Sequence, residues 1–268
     1  MRRTLGVLAV VVLAGAVSVT GQQAPRAAAP PAYRAPRTPD NHPDLQGIWQ
    51  VLNSAEVDLL DHAASLGLPA GYSVVEGNEI PYLPAALAQK QKNFANRAKL
   101  DPNQKCFYPG VPRLTYMPFP FKITQTNGYA MFLYEFGHHT RIVYTDGTPF
   151  NVDIPAWMGD SRGRWEGETF VVETKNFTNE SWFDRAGDFH SDALHVVERY
   201  TRTDTDHIQY EATITDPKTF SRPWKISMPL YRRVEPGAKL IEYECYALQV
   251  LEGGLYDEMI KNSKPPTQ

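Results

Sequence analysis

The hydrophobic pattern changes character near residue 113. Upstream, apolar residues recur from Leu83 through Leu87, Phe94 and Ala98 at close to a 3.6-residue spacing, with Lys and Gln between them. This pattern predicts one amphipathic helix that ends before Asp101-Pro102. Downstream, short apolar runs alternate with turn residues, which is typical of strands.

Eight segments after residue 113 have the length and composition of strands, and they are 121–126, 129–136, 140–145, 168–175, 193–202, 207–215, 223–232 and 239–246. In 207–215 apolar and polar residues alternate, so one face is predicted to be buried. Turn signals such as Asn127-Gly128 and Glu166-Gly167 join neighbouring strands, which favours antiparallel pairing. With a further first strand at Trp49, the pattern predicts a mainly β fold. We expect a single antiparallel β-barrel with one helix and long loops; the alternative is a β-sandwich.

The first 44 residues carry different signals. Arg2 and Arg3 precede an apolar run over 5–19, followed by small residues, which predicts a cleaved signal peptide over 1–21 and a periplasmic or secreted protein. This run is shorter than the ~18–20 residues that span a bilayer, so no membrane span is expected in the mature chain. Residues 22–44 are rich in Pro and Ala and predict a tether. The barrel domain is then predicted over 45–258, with a tail over 259–268.

Charge and cysteine content narrow the partners and the compartment. Cleavage reduces the 27 basic residues to 25 against 30 acidic ones, a net charge of −5, which is unfavourable for nucleic-acid binding. Cys106 and Cys245 are predicted to pair in an oxidising compartment. Their loop of about 140 residues would contribute ~4–5 kcal/mol on the chain-entropy model. The alternative is a reactive thiol. The sequence leaves the oligomeric state open.

Two resemblances appear along the chain. Gly47-Ile48-Trp49 resembles the Gly-x-Trp opening of lipocalin-like (calycin-type) barrels. That resemblance implies that Trp49 packs across a closed barrel end beneath an Arg from the last strands, which Arg232 or Arg233 would supply. The segment from Gly159 to Thr174, GDSRGRWEGETFVVET, resembles a largely uncharacterised group of exported bacterial proteins and implies no particular activity.

The densest polar cluster lies between the strands 168–175 and 193–202. Its candidates for acid–base catalysis are His190, Asp192, His195 and Asp184, because a histidine oriented by a carboxylate exchanges protons near neutral pH. His139 is a further candidate that would converge with His195 if their strands were adjacent. The alternative is a solvated loop. His190, Asp192 and His195 also offer metal donors, but residue 195 points away from 190 and 192 on a regular strand, so no metal and no cofactor is expected.

Several aromatic and basic residues suit ligand binding instead, and the candidates are Trp157, Arg162, Arg164, Trp182, Tyr134 and Tyr144. The segment 157–165 is interpreted as a loop that stacks a ligand and pairs its acidic group with an Arg, or else as a purely structural loop. The favoured function is binding of a small apolar or aromatic molecule inside the barrel. The alternatives are a barrel enzyme of the lyase, hydratase or isomerase type and a non-catalytic envelope platform.

Overall fold

The protein forms a closed nine-stranded β-barrel, which confirms the predicted fold class. A computed structural model describes residues 33–65, 68–151 and 154–245. The strands are β1 (Gly47–Gln50), β2 (Phe121–Thr126), β3 (Tyr129–Tyr134), β4 (Thr140–Tyr144), β5 (Asp160–Glu166), β6 (Thr169–Lys175), β7 (His195–Arg202), β8 (His207–Thr215) and β9 (Trp224–Arg232). They follow one another around the barrel in sequence order, and β1 pairs with β9 to close it.

The pairing departs from the prediction at β5. All neighbouring strands are antiparallel except β4 and β5, which are parallel because the chain returns along the barrel between the end of β4 and the start of β5. The segment 157–165, predicted as a loop, therefore contains most of a strand. Its inward positions are Ser161, Gly163 and Trp165. Because one inward residue is glycine and one is polar, the apolar alternation that marks a strand is absent there.

The two ends of the barrel differ in construction. At the hairpin end, tight connections at 127–128, 167–168 and 203–206 join the strands. At the plug end, long connections cover the opening, and residues 101–117, here called the plug, pack against the core. Within the plug, the 3-10 helix Arg113–Tyr116 has all four residues buried. Tyr116 donates a hydrogen bond to the carbonyl of Phe183 at 2.8 Å.

The predicted helix is present as α1 (Pro84–Ala95), followed by the short α2 (Arg97–Leu100). The face that it buries differs from the apolar pattern, because Leu87 and Phe94 are 43% and 46% exposed while Ala86 and Asn93 are buried. The Asn93 amide donates to the carbonyl of Gly187 at 3.1 Å and anchors the helix. Neither helix of the described residues is long and apolar enough to cross a membrane.

The disulfide between Cys106 and Cys245 is present, with a Cα–Cα distance of 5.5 Å. It ties the plug to the segment after β9. As far as Cys245, the predicted strand 239–246 forms only an isolated bridge between Phe136 and Tyr243. The rest of the predicted domain to residue 258, the tail and the signal peptide lie outside the described residues.

The described part of the predicted tether packs on the barrel. Residues 37–44, here called the strap, form a turn in which Asp44 N–H donates to the Pro36 carbonyl at 2.8 Å. Gln125 on β2 donates to the Pro43 carbonyl at 3.0 Å and accepts from Leu45 N–H at 2.6 Å. The strap is therefore held against the hairpin end.

Candidate ligand-binding site

Aromatic rings fill the middle of the barrel. The ring centroids of Phe121 and Tyr134 are 5.3 Å apart, and those of Phe132 and Tyr200 are 5.4 Å apart. These side chains are at most 3% exposed. Contacts at these distances are those of a close-packed core, so this part of the barrel is occupied by the protein's own side chains.

An ion pair is buried among these rings. Arg141 on β4 pairs with Glu198 on β7, and its Nε and Nη2 also donate to Ser161 and Thr174 at 3.0 and 2.7 Å. Burial lowers the pKa of Arg141, but Glu198 outweighs it and holds the pKa above its usual value. Because a buried charge is tolerated when it is paired and hydrogen-bonded, the pair is a fixed feature of the core.

On the side of the Arg141–Glu198 pair that faces the plug, fewer of the buried polar atoms have hydrogen-bond partners. Thr115 Oγ1, Tyr134 Oη and Arg141 Nη1 are buried without a hydrogen-bond partner, although Thr115 and Arg141 are close enough to Tyr134 to influence its pKa. Burial is the main influence and raises that pKa. By contrast, Tyr200 and Tyr210 each donate to Glu198 Oε1 at 2.9 Å.

Trp49 closes the part of the hairpin end where β7 and β9 finish. The guanidinium carbons of Arg202 and Arg232 each lie 5.8 Å from its ring centroid, and its Nε1 donates to the Leu45 carbonyl at 2.9 Å. Of the two arginines that the sequence offered for this contact, the structure places Arg232 there. Arg233 pairs with Glu235 instead.

A cavity of about 410 Å³ opens at the other part of the hairpin end, between the β2–β3 and β5–β6 hairpins, and we call it the mouth. Its wall consists mainly of Gln125, Tyr129, Ala130, Gly163, Trp165 and Phe170. Ala130 occupies an inward position on β3 with a small side chain, which leaves space beside it, whereas Phe170 and Val143 pack closely over the inward position of Gly163. A Cβ at Gly163 would lie 2.6 Å from Phe170 Cζ and 2.9 Å from Val143 Cγ1, so a glycine is needed there.

The strap roofs the mouth with a stacked ring. The rings of His42 and Trp165 lie 5.2 Å apart at an angle of 7°, and Phe170 packs against Trp165 at 5.0 Å. Arg37 of the strap pairs with Glu168 at 2.5 Å. Trp165 thus accepts a flat ring in a parallel arrangement, which is the geometry in which an aromatic ligand binds.

Charged groups surround the mouth at its rim, where Asp40, Asp146 and Arg164 line it. A hydrogen bond from the Thr38 side chain lowers the pKa of Asp40, and hydrogen bonds from Thr148 lower that of Asp146. Both are therefore carboxylates at neutral pH. The Nε and Nη2 of Arg164 donate to Glu166 Oε1 at 3.0 and 2.8 Å.

The five predicted catalytic residues lie in separate surroundings. His195 pairs with Glu173 at 2.9 Å, and Asp192 pairs with Lys218 at 2.7 Å. His139 stacks on Tyr108 at 4.0 Å, and burial together with His138 lowers its pKa to about 4. His139 lies just before β4, whereas His195 lies on β7. The strands β5 and β6 separate β4 from β7 in the barrel.

His190 is 2% exposed and has partners on both ring nitrogens. Its Nδ1 donates to the Ser191 carbonyl at 2.9 Å, so its Nε2 accepts from Ser181 Oγ at 2.8 Å. Burial lowers its pKa and keeps the imidazole neutral. His190 is therefore a core histidine with both ring nitrogens hydrogen-bonded. Its pairing with Ser181 was not predicted from the sequence.

Asp184 belongs to a buried acidic cluster with Asp58 and Asp188, whose ligand atoms all lie within 4.8 Å of one another. Burial, followed by the charge of Asp188, raises the pKa of Asp184 well above its usual value. These three carboxylate oxygens have the spacing of a cation site. The metal donors considered from the sequence, His190, Asp192 and His195, do not form such a group among the described residues. Tyr82 donates to Asp188 at 2.8 Å, and Lys90 lies 3.7 Å from it, so protein groups already compensate part of the charge.

Of the predicted ligand-binding residues, only Arg164 lines the mouth. Arg162 lies on the outer face over Tyr144, 5.1 Å from its ring. Trp157 packs on Phe107 at 5.3 Å, Trp182 forms a bridge with Phe189 at the plug end, and Tyr134 lies in the core. Sequence reasoning missed His42, because its contact with Trp165 spans more than a hundred residues. A signal for the mouth was present in the alternation Gly163-Arg164-Trp165, which puts a small and a large residue on one face.

No protein-family model, no curated protein and no solved structure matches this chain. Resemblance to lipocalin-like barrels is therefore supported by the barrel architecture alone. The function has to be inferred from the chemistry of the mouth and the core.

Proposed function

We propose that the protein is an exported barrel that binds one small planar aromatic molecule in the mouth. The observation that carries this proposal is the cavity of about 410 Å³ whose wall includes Trp165. Its size falls within the ~300–1,000 Å³ typical of small-ligand pockets, and its mixture of aromatic walls and a few polar groups is typical as well.

The shape of the mouth suits a flat ligand. Trp165 and Phe170 provide aromatic surface, and the small side chain of Ala130 leaves room beside them. His42 already stacks flat on Trp165 from the strap. A ligand ring would take up contacts of the same kind, either next to His42 or in its place.

The two other predicted functions receive less support. A barrel enzyme requires acid and base groups in one pocket, and the five candidates are distributed over separate surroundings. An envelope platform requires only a filled barrel, and the middle of this one is filled. The open mouth is the feature that a platform does not need, and it favours binding.

The test is a thermal-shift and calorimetric screen of the mature protein against indole, naphthalene and their derivatives. A ligand that binds the folded state raises the Tm, and above its Kd the stabilisation grows with the logarithm of the ligand concentration. Trp165→Leu should weaken binding about tenfold or more, because it removes the ring wall. If this variant fails to fold, Ala130→Leu, which narrows the mouth from β3, should have the same effect.

The matched control is Phe107→Leu, which removes a half-exposed aromatic ring away from the mouth and should leave the affinity unchanged. Binding that survives both mouth variants would place the ligand elsewhere and contradict the proposal. A screen without any hit at high ligand excess would contradict it as well.

A further inference from the structure

We infer that the ligand of the mouth is a planar aromatic cation, such as an arylalkylammonium ion, rather than an aromatic acid. This inference rests on the proposed function and specifies its ligand. It follows from the charges around the mouth, the pairing of the arginine at its rim and the aromatic character of its interior.

Two carboxylates line the mouth, one on the strap and one after β4. Asp40 belongs to the strap. Asp146 follows β4 and lies beside the β2–β3 hairpin, since a Cβ added to Gly128 would be 3.7 Å from the Cβ of Asp146. The contacts of Asp146 include the backbone N–H of Thr148 at 3.0 Å. The Nε2 atom of His42 lies 4.0 Å from Oδ2 of Asp40. Neither is in an ion pair with a lysine or arginine among the described residues.

The positive charge at the mouth is already compensated. Arg164 shares Glu166 with Arg199, which donates to the second carboxylate oxygen at 2.8 Å. Arg37 of the strap is engaged by Glu168. An incoming carboxylate would therefore have to compete with existing acidic partners and would also be repelled by Asp40 and Asp146.

An aromatic cation would be attracted both by the carboxylates and by the aromatic rings that line the mouth. Unlike charges a few ångströms apart attract even at the protein surface, although salt weakens the attraction. The faces of Trp and Tyr rings attract cations through their quadrupole, and Trp165 and Tyr129 both line the mouth. The ring of the ligand and its charge are thus recognised by neighbouring groups.

Three probes that share one ring isolate the effect of charge: tryptamine (cationic), tryptophol (neutral) and indole-3-acetate (anionic). Calorimetry at neutral pH and low salt should rank their affinities in that order. We expect about a tenfold difference between tryptamine and indole-3-acetate, and a smaller one at high salt.

Asp40→Asn and Asp146→Asn should reduce the preference for tryptamine over tryptophol by several fold, because asparagine keeps the acceptor oxygen and removes the charge. The matched control is Asp61→Asn, since Asp61 is exposed and also accepts from a backbone N–H, that of Ser73 at 2.7 Å, but does not line the mouth. This control should keep the preference.

The outcomes separate the two claims. Equal affinities for the three probes, or tighter binding of indole-3-acetate, would overturn the inference and leave the proposed function intact. A preference for tryptamine that the Asp40 and Asp146 variants do not alter would also overturn it. If none of the three probes binds, and neither do the naphthalene derivatives, then the proposed function itself fails.

Discussion

The two ends of the barrel show opposite ways of closing the same cylinder. At the plug end, a 3-10 helix from residues 113–116 buries all four of its side chains against the core. At the hairpin end, the strap passes across the opening and contributes the ring of His42, while a cavity of about 410 Å³ remains beside Ala130 and Trp165. Open space in this barrel is therefore determined by what is inserted at each end.

The charges follow the same division. Near the plug, ion pairs are buried, as between Arg113 and Asp101, which are joined by two hydrogen bonds of 2.9 Å, and between Arg141 and Glu198. At the mouth, the ionised groups face solvent. Changes near the plug should therefore reduce stability, and changes at the mouth should reduce binding.

The largest expected effect is loss of the disulfide between Cys106 and Cys245. The bond closes a separation of 139 residues, so its removal by Cys106→Ser with Cys245→Ser should cost about 4–5 kcal/mol on the chain-entropy model. Urea unfolding of the double variant beside the oxidised protein measures this loss. Ligand affinity at the mouth, measured where the variant is still folded, should stay within about twofold. A loss below about 1 kcal/mol would show that packing alone holds the plug.

Nearly as large an effect is expected for Arg141→Met. This change leaves the Glu198 carboxylate buried without its cation, which should cost about 3–5 kcal/mol in the free energy of unfolding. The matched control is Arg141→Met combined with Glu198→Gln, because Gln keeps an oxygen that accepts from Tyr200 and Tyr210. This double variant should recover much of the loss. If the double variant is as unstable as the single variant, the loss of stability results from the changed shape of the side chain and not from the unpaired charge.

The sequence predicts the architecture well and its exceptions poorly. In β8, Ile208, Tyr210, Ala212 and Ile214 are all buried, as alternation indicates. In β5, Gly163 and Ser161 hide the same alternation, because one has no side chain and the other bonds to the buried Arg141. The parallel pairing of β4 and β5 follows from the return of the chain between these two strands, which no local sequence pattern indicates.

The mouth is predictable only in part for the same reason. Arg164 and Trp165 lie in a segment whose mixture of rings and guanidinium groups indicates binding. The stacking of His42 on Trp165 and the pairing of Arg164 with Glu166 depend on packing between strands and on the path of the strap. Short-range composition does not contain this information.

The smallest effect distinguishes two tyrosines of the same core. Tyr210 donates at 2.9 Å to Glu198, which is in an ion pair with Arg141, so Tyr210→Phe should cost about 1.5–3 kcal/mol. The hydroxyl of Tyr134 is buried without a partner, and its removal in Tyr134→Phe should change stability by less than about 0.5 kcal/mol or increase it, because an unsatisfied polar group is lost. Urea unfolding of both variants makes the comparison. Equal losses would mean that the Tyr134 hydroxyl has a partner in solution, and that the core facing the plug is as fully hydrogen-bonded as the side around Glu198.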